Sequence, residues 1–173
     1  AAVIGAGLVG QLAAQLLELA GVRVAVFDYN QGRLDLARFG RAELIWNLGD
    51  GDPAEAVMDL THGRGCDGVL IAAATDTSEP FNLAASIARD RARISLVGLT
   101  GTEVPYREFM HKELSLVVSR SYGPGRYDSD FEERGMKYPS GGVPWTETRN
   151  FDEGERRMSR VSDHRLAVEP LIS

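Results

Sequence analysis

A single cysteine, Cys66, is all the thiol chemistry in the sequence, so no disulfide can form within the chain and a reducing compartment, the cytoplasm by default, is the expected setting. Histidine is almost as scarce. His62, His111 and His164 stand far apart, and with one cysteine they offer no ligand spacing, so no zinc ligands are expected in this chain. No apolar run approaches the roughly 18 to 20 residues of a membrane span, and no basic segment leads into an apolar one as in a signal peptide. A surplus of positive charge is missing too: 19 Lys and Arg against 25 Asp and Glu give a formal net charge of −6. The arginines lie singly or in pairs rather than in a stripe, so neither nucleic acid nor a membrane is an expected partner. The chain also opens without methionine, at Ala1, a few residues before a glycine-rich turn. A central first strand ordinarily needs about five or six residues, so part of that strand and a preceding domain are expected to belong to a longer protein.

What is present begins at once. Ala2-Val3-Ile4-Gly5-Ala6-Gly7-Leu8-Val9-Gly10 joins an apolar strand, a glycine-rich turn and a helix start. Each glycine in such a turn has its own job: Gly5 for the tight bend, Gly7 for backbone approach to a pyrophosphate, Gly10 for close packing of helix on strand. Residues 12–20 are rich in helix formers and Gly21 is a stop signal, so the free N–H groups and positive dipole end of a helix would face an anion near Leu8 and Val9. The motif alone is unspecific, and the next strand supports it. Arg23-Val24-Ala25-Val26-Phe27 reads as a buried strand ending at Asp28, near the spacing of about 20 residues expected for an acid that binds a ribose. A carboxylate there accepts from the 2′- and 3′-hydroxyls and repels a 2′-phosphate, which favours NAD over NADP. The plainer reading of Asp28 is a surface turn residue before Asn30-Gln31-Gly32. Arg33 is a candidate for the adenine face or a phosphate, with a solvated helix-face arginine as its alternative.

With 173 residues and 43% hydrophobic content, the chain suits one domain with a sizeable core. Helices are expected over 31–39, 54–61, 80–88 and 106–112, and strands over 43–46, 69–74, 92–97 and 114–119. This alternation gives βαβαβ twice, hence an α/β fold: a doubly wound, Rossmann parallel sheet of six strands in the order 3-2-1-4-5-6. The organisation read from composition is a dinucleotide-binding domain over 1–121, a Gly/Pro/Tyr-rich loop over 122–150, and a polar helix with an extended return segment over 151–173. Its stretch 166–172 heads toward an absent domain, and a structureless run of about 30 residues itself points to function or to contact with that domain.

Taken together, these residues resemble the cofactor domain of the medium-chain dehydrogenase/reductase superfamily, the zinc-type alcohol dehydrogenases. The resemblance rests on Gly5 to Gly10, Asp28, Arg33, the turn Gly63-Arg64-Gly65-Cys66-Asp67, and Val97-Gly98-Leu99. It implies hydride transfer between a nicotinamide cofactor and an alcohol or carbonyl. It also implies that Val97, Gly98 and Leu99 lie along the nicotinamide ribose and Ala74 and Thr75 near the middle of the cofactor, whereas strand-end turn residues are the plain alternative for the latter two. The backbone around Ser119 and Arg120 would approach the carboxamide. The run Ser119 to Asp128, with Tyr138-Pro139 and Trp145-Thr146-Glu147, is similar to a narrower branch: bi-domain oxidoreductases fused to a Gfo/Idh/MocA-like half and often associated with surface polysaccharides. The helix after this run is more polar here, with Glu153, Glu155, Arg156 and Arg157, than is usual in the superfamily.

No catalytic residue is assigned. A Tyr-x-x-x-Lys pair is missing, since Met110 follows Tyr106 by four and Arg126 follows Tyr122 by four. Cys66 reads as a packing residue in a turn. Tyr122, Arg126 and Tyr127 are candidates for the edge of a substrate pocket suited to an anionic or sugar-like small molecule, with loop packing as the alternative. The competing class is a non-catalytic nucleotide-sensing regulatory domain; an FAD enzyme fits less well. By analogy with dimers of the superfamily, the edge of the sixth strand could pair across a two-fold axis in a homodimer.

Overall fold

The computed structural model describes residues 1–139 and 141–158. These divide into two compact units, Ala1–Val118 and a second that begins at Ser119.

The first unit is a six-stranded parallel sheet in the order β3-β2-β1-β4-β5-β6, as the alternation of the sequence predicts. Its elements are β1 (Ala2–Ile4), α1 (Leu8–Leu19), β2 (Ala25–Asp28), α2 (Gln31–Ala37), β3 (Leu44–Asn47), α3 (Ala54–Leu60), β4 (Cys66–Ile71), α4 (Glu79–Ile87), β5 (Ala88–Leu96), α5 (Tyr106–His111) and β6 (Ser115–Val118). Side chains of a strand alternate between faces, and helices cover both faces of such a sheet, so its central strands must be apolar throughout. That is seen. Ala2, Ile4, Ala25 and Phe27 join a core with Val57, Phe81, Ile87 and Ile94, while Val3, Val24 and Val26 join a second with Ala14, Leu34 and Ala37. The register pairs Ile4 with Phe27 on one side and with Ile71 on the other. The three central strands therefore end level with one another, placing Gly5, Asp28 and Ala72 along one crest.

Several boundaries differ from those read in the sequence. β4 spans Cys66–Ile71 rather than 69–74, because Cys66 already pairs with Ala88 and the chain leaves the sheet after Ile71, touching it again only where Ala74 bridges Leu99. β5 begins at Ala88 rather than 92; the C-cap of α4 is itself the first strand residue. Lys112 secures this corner, its Nζ donating to the carbonyls of Ala85, Ser86 and Ala88 at 2.6 to 3.1 Å, a cation placed where the negative end of α4 lies.

In the second unit, the stretch 122–150 is not all loop. It holds α6 (Ser129–Glu132) and the start of α7 (Glu147–Met158). Asp128 caps α6, accepting from the N–H groups of Asp130 and Phe131, which is the ordinary device for starting a helix at an Asp. The expected extended segment 166–172 lies outside the described residues. No helix among the described residues is long and apolar enough to cross a membrane.

Candidate functional site

At the carboxyl crest of the first unit the strands part into a crevice of about 1240 Å³, walled by both halves of the sheet. Such a cleft at the point where strand order reverses is where open α/β sheets take ligands. One bank carries Gly5, Gly7, Leu8, Val9, Asp28, Tyr29, Asn30 and Arg33; the other carries Ala73, Ala74, Thr75, Thr77, Glu79 and Pro80.

The glycine turn is built by close approach. Gly5 has φ +97°, and a Cβ on it would stand 2.6 Å from the backbone nitrogen of Ala73, so its side chain is excluded both by conformation and by space. Gly10 lies inside α1, where a Cβ would meet the carbonyl oxygen of Gly5 at 1.8 Å. The helix thus docks onto the turn backbone to backbone. No side chain caps the start of α1, whose N-cap is Gly7, and Gly7, Leu8 and Val9 all border the crevice. The first turn of α1 thus begins at the crevice with no side chain capping it, the arrangement that suits an anion at a helix N-terminus.

Asp28 closes β2 with 8% of its surface exposed. Its Oδ2 accepts from the N–H of Ala6 at 2.6 Å and its Oδ1 from the N–H of Asn30 at 2.8 Å. The carboxylate is therefore locked to the glycine turn on one side and to the α2 cap on the other, while still facing the crevice. Each oxygen has a second lone pair to offer. The Arg33 guanidinium stands 3.9 Å from Oδ2 with its side chain 22% exposed, and Arg33 borders the crevice rather than a solvated helix face. Gln11, which the sequence did not single out, is buried. It donates to the carbonyls of Ala6 and Arg33, tying the turn to α2; an isolated glutamine in a helix gives no sign of such a role.

Ala74 and Thr75 wall the far bank, and the N–H of Thr75 donates to the carbonyl of Leu99 at 2.8 Å. Val97, Gly98 and Leu99 follow the end of β5 and do not line the crevice; Leu99 is 82% exposed. Tyr29, Thr77, Glu79, Asn82, Leu83 and Ser86, together with Leu48 and Pro53, do line it and were not anticipated. Glu79-Pro80 at a helix start was the one available signal, since Pro favours the first helical turn.

Cys66 is buried, and burial pushes its thiol up from the ordinary range, as suits a packing residue rather than a nucleophile. Among the described residues no three His, Cys, Asp or Glu side chains gather as they would around a metal ion. In the second unit, Arg126 lies over the rings of Tyr122 and Tyr127 and pairs with Glu132 at 2.8 Å. These three candidates pack on one another.

The sequence profile of the zinc-binding dehydrogenase family matches residues 9–135. An L-threonine 3-dehydrogenase of Symbiobacterium thermophilum is 36% identical over 100 residues, covering 57% of this chain and 28% of its own length. Among solved structures, the alcohol dehydrogenase TADH from Thermus sp. ATN1 superposes with a TM-score of 0.59 at 27% identity, over 68% of this chain and 34% of its own. Galactitol-1-phosphate dehydrogenase from Escherichia coli shares the fold at a TM-score of 0.69 and 24% identity, over 99% of this chain and 44% of its own. The chain thus spans between 28% and 44% of the length of these relatives.

Proposed function

The chain belongs to the zinc-binding dehydrogenase family, and from that premise we propose that it is the cofactor domain of an oxidoreductase that uses NAD rather than NADP. The observation that carries this reading is the Asp28 carboxylate, fixed at the end of β2 beside the glycine turn by the amides of Ala6 and Asn30. A ribose diol offers two hydroxyl donors to such a carboxylate, whereas a 2′-phosphate brings like charge into a partly desolvated place.

The crevice fits the group: the Gly5 to Gly10 turn and the N-terminus of α1 would hold the diphosphate, Asp28 the adenosine ribose, and Ala74 and Thr75 the middle of the cofactor. Val97, Gly98 and Leu99 would lie toward the nicotinamide side. A bound nicotinamide supplies or accepts hydride, and the chain's part is to fix the dinucleotide in place. By the resemblance to the zinc-type alcohol dehydrogenases, polarising or deprotonating the substrate oxygen is assigned to residues of another domain. An alcohol or carbonyl of sugar-like character suits the branch resembled by residues 119–147. The exposed edge strand β6 is where a second copy would add.

Calorimetry on the full chain tests the assignment. NADH is expected to bind in the micromolar to millimolar range and NADPH at least about tenfold more weakly, roughly 1.4 kcal/mol. Asp28→Ala should weaken NADH by a similar factor and also lower the melting temperature, since two backbone N–H groups lose their acceptor. Unchanged NADH affinity in that variant overturns the ribose role.

A further inference from the structure

Beyond Asp28 the crevice runs on between Tyr29 and Glu79, which reach toward each other from opposite banks. The Tyr29 hydroxyl donates to Oε2 of Glu79 at 3.3 Å, joining the residue after β2 to the first residue of α4 across 50 positions of sequence. Tyr29 is 63% exposed and borders the crevice, so its ring has little packed on it. Desolvation, and after it the nearby Glu79 charge, pushes the phenol up from its ordinary range. The proton therefore stays on the phenol, and Glu79 remains the acceptor of the pair.

The position of this carboxylate is specific. Tyr29 follows Asp28 directly in the chain, so the Glu79 carboxylate lies about one tyrosine side chain plus one hydrogen bond away from the backbone beside the ribose-binding acid. Asp28, Tyr29 and Glu79 line the same crevice, so a base carried on the ribose held at Asp28 would lie within reach of this carboxylate. A carboxylate has no donor of its own. It favours a base edge that presents an amino group and disfavours one that presents a carbonyl oxygen, because a site built to receive a hydrogen bond rejects the analogue that lacks the donor.

We propose that Glu79 is a specificity-determining residue that accepts the adenine 6-amino group, and that Tyr29 positions it and offers its ring as a stacking face for the base. This rests on the dinucleotide reading of the crevice. In the free protein the phenol holds the carboxylate in place; when the base enters, its amine shares or takes over the acceptor. A hypoxanthine in place of adenine turns that amine into a carbonyl oxygen facing the carboxylate.

The test compares NADH with reduced nicotinamide hypoxanthine dinucleotide, in which a 6-oxo group replaces the 6-amino group and N1 carries a proton, by calorimetric titration of the full chain. The unsubstituted protein should bind NADH about tenfold more tightly than the hypoxanthine analogue. Glu79→Gln, whose amide both donates and accepts, should bring the ratio close to one with the analogue gaining affinity. Tyr29→Phe, which keeps the ring but releases the carboxylate from the phenol, should narrow the preference without abolishing it, and an unchanged ratio would remove Tyr29 as the positioning residue. Equal affinity for the two dinucleotides in the unsubstituted protein overturns the inference while leaving the crevice a dinucleotide site. So does an unchanged ratio in Glu79→Gln. Absence of binding by either dinucleotide overturns this inference and the assignment beneath it together.

Discussion

The two compact units of this chain are held by different forces. In Ala1–Val118 the strands β1 and β2 are buried on both faces, and Phe27, Phe81, Leu34, Ile71, Ile87 and Ile94 are enclosed. From Ser119 onward no hydrophobic side chain among the described residues is buried. Its cohesion comes from ring stacks, Tyr122 on Phe151 and Phe131 on Tyr138, from guanidinium groups over rings at Arg120, Arg126 and Arg149, and from hydrogen bonds such as Tyr138 to Asp128. Apolar burial scales with area and tolerates no void or surplus atom, whereas exposed cation–ring and ion-pair contacts are individually small and screened by salt. The contrast teaches that a chain can carry a rigid scaffold and a polar appendage in one reading frame, and that the same substitution has unequal weight in each.

The most disruptive change expected is Gly10→Val. Its branched side chain would collide with the Gly5 carbonyl, 1.8 Å from a Cβ, and overpacking of this severity costs about 3 kcal/mol or more. Thermal unfolding followed by circular dichroism should show the sheet melting many degrees earlier, and an unaltered midpoint would mean that α1 does not dock through Gly10. Next comes a matched pair. Phe81→Ala empties a fully enclosed position and should cost roughly 3 to 5 kcal/mol; Phe131→Ala removes a ring that stacks on Tyr138 at 5.3 Å without a buried core around it and should cost about 1 kcal/mol. Denaturant titration of both variants measures the difference, and equal losses would erase the distinction between the units.

Arg126→Ala is expected to matter less to global stability than either phenylalanine change. It should instead alter the near-ultraviolet dichroism of the tyrosines, because Arg126 lies over the rings of both Tyr122 and Tyr127. A spectrum identical to that of the parent chain would remove Arg126 from the packing. The smallest effect is one of pH. Glu153 accepts hydrogen bonds from Arg156 and Arg157, and these hold its carboxyl down to about 2 from an ordinary value of 4.5. A depressed value means that the stabilisation is fully present above the ordinary carboxyl range and is lost as the pH falls toward 2. Side-chain titration by NMR should find Glu153 protonating well below the other glutamates, and the paired change of Arg156 and Arg157 to Gln should return it to the ordinary range.

The unequal weight of the units also governs how far the sequence could be read. The glycine turn and Asp28 were legible because each follows a local rule: a positive φ at Gly5, a close approach at Gly10, an acid at the end of a second apolar strand. The strand order was legible from the alternation of short apolar and helical segments. The early start of β5 was not, because Ala88 joins the sheet by pairing with Cys66, a contact between distant segments that no local pattern announces. Within 122–150, α6 was hidden by glycine and proline on both sides, although the Asp128 cap was a local sign that could have revealed it.

The far bank of the crevice shows the same limit. Glu79 and Tyr29 are ordinary surface residues in the sequence, and they become a pair only when β2 and α4 are brought to the same crest. By itself, then, the order of residues determined most of the hydrogen-bonded elements, their alternation and the glycine turn, since these depend on backbone conformation and on periodicity over neighbouring positions. Only the folded chain decided which side chains meet across the crevice and how Asp28 is anchored, because those distances depend on strand register and crossover between segments far apart in the chain.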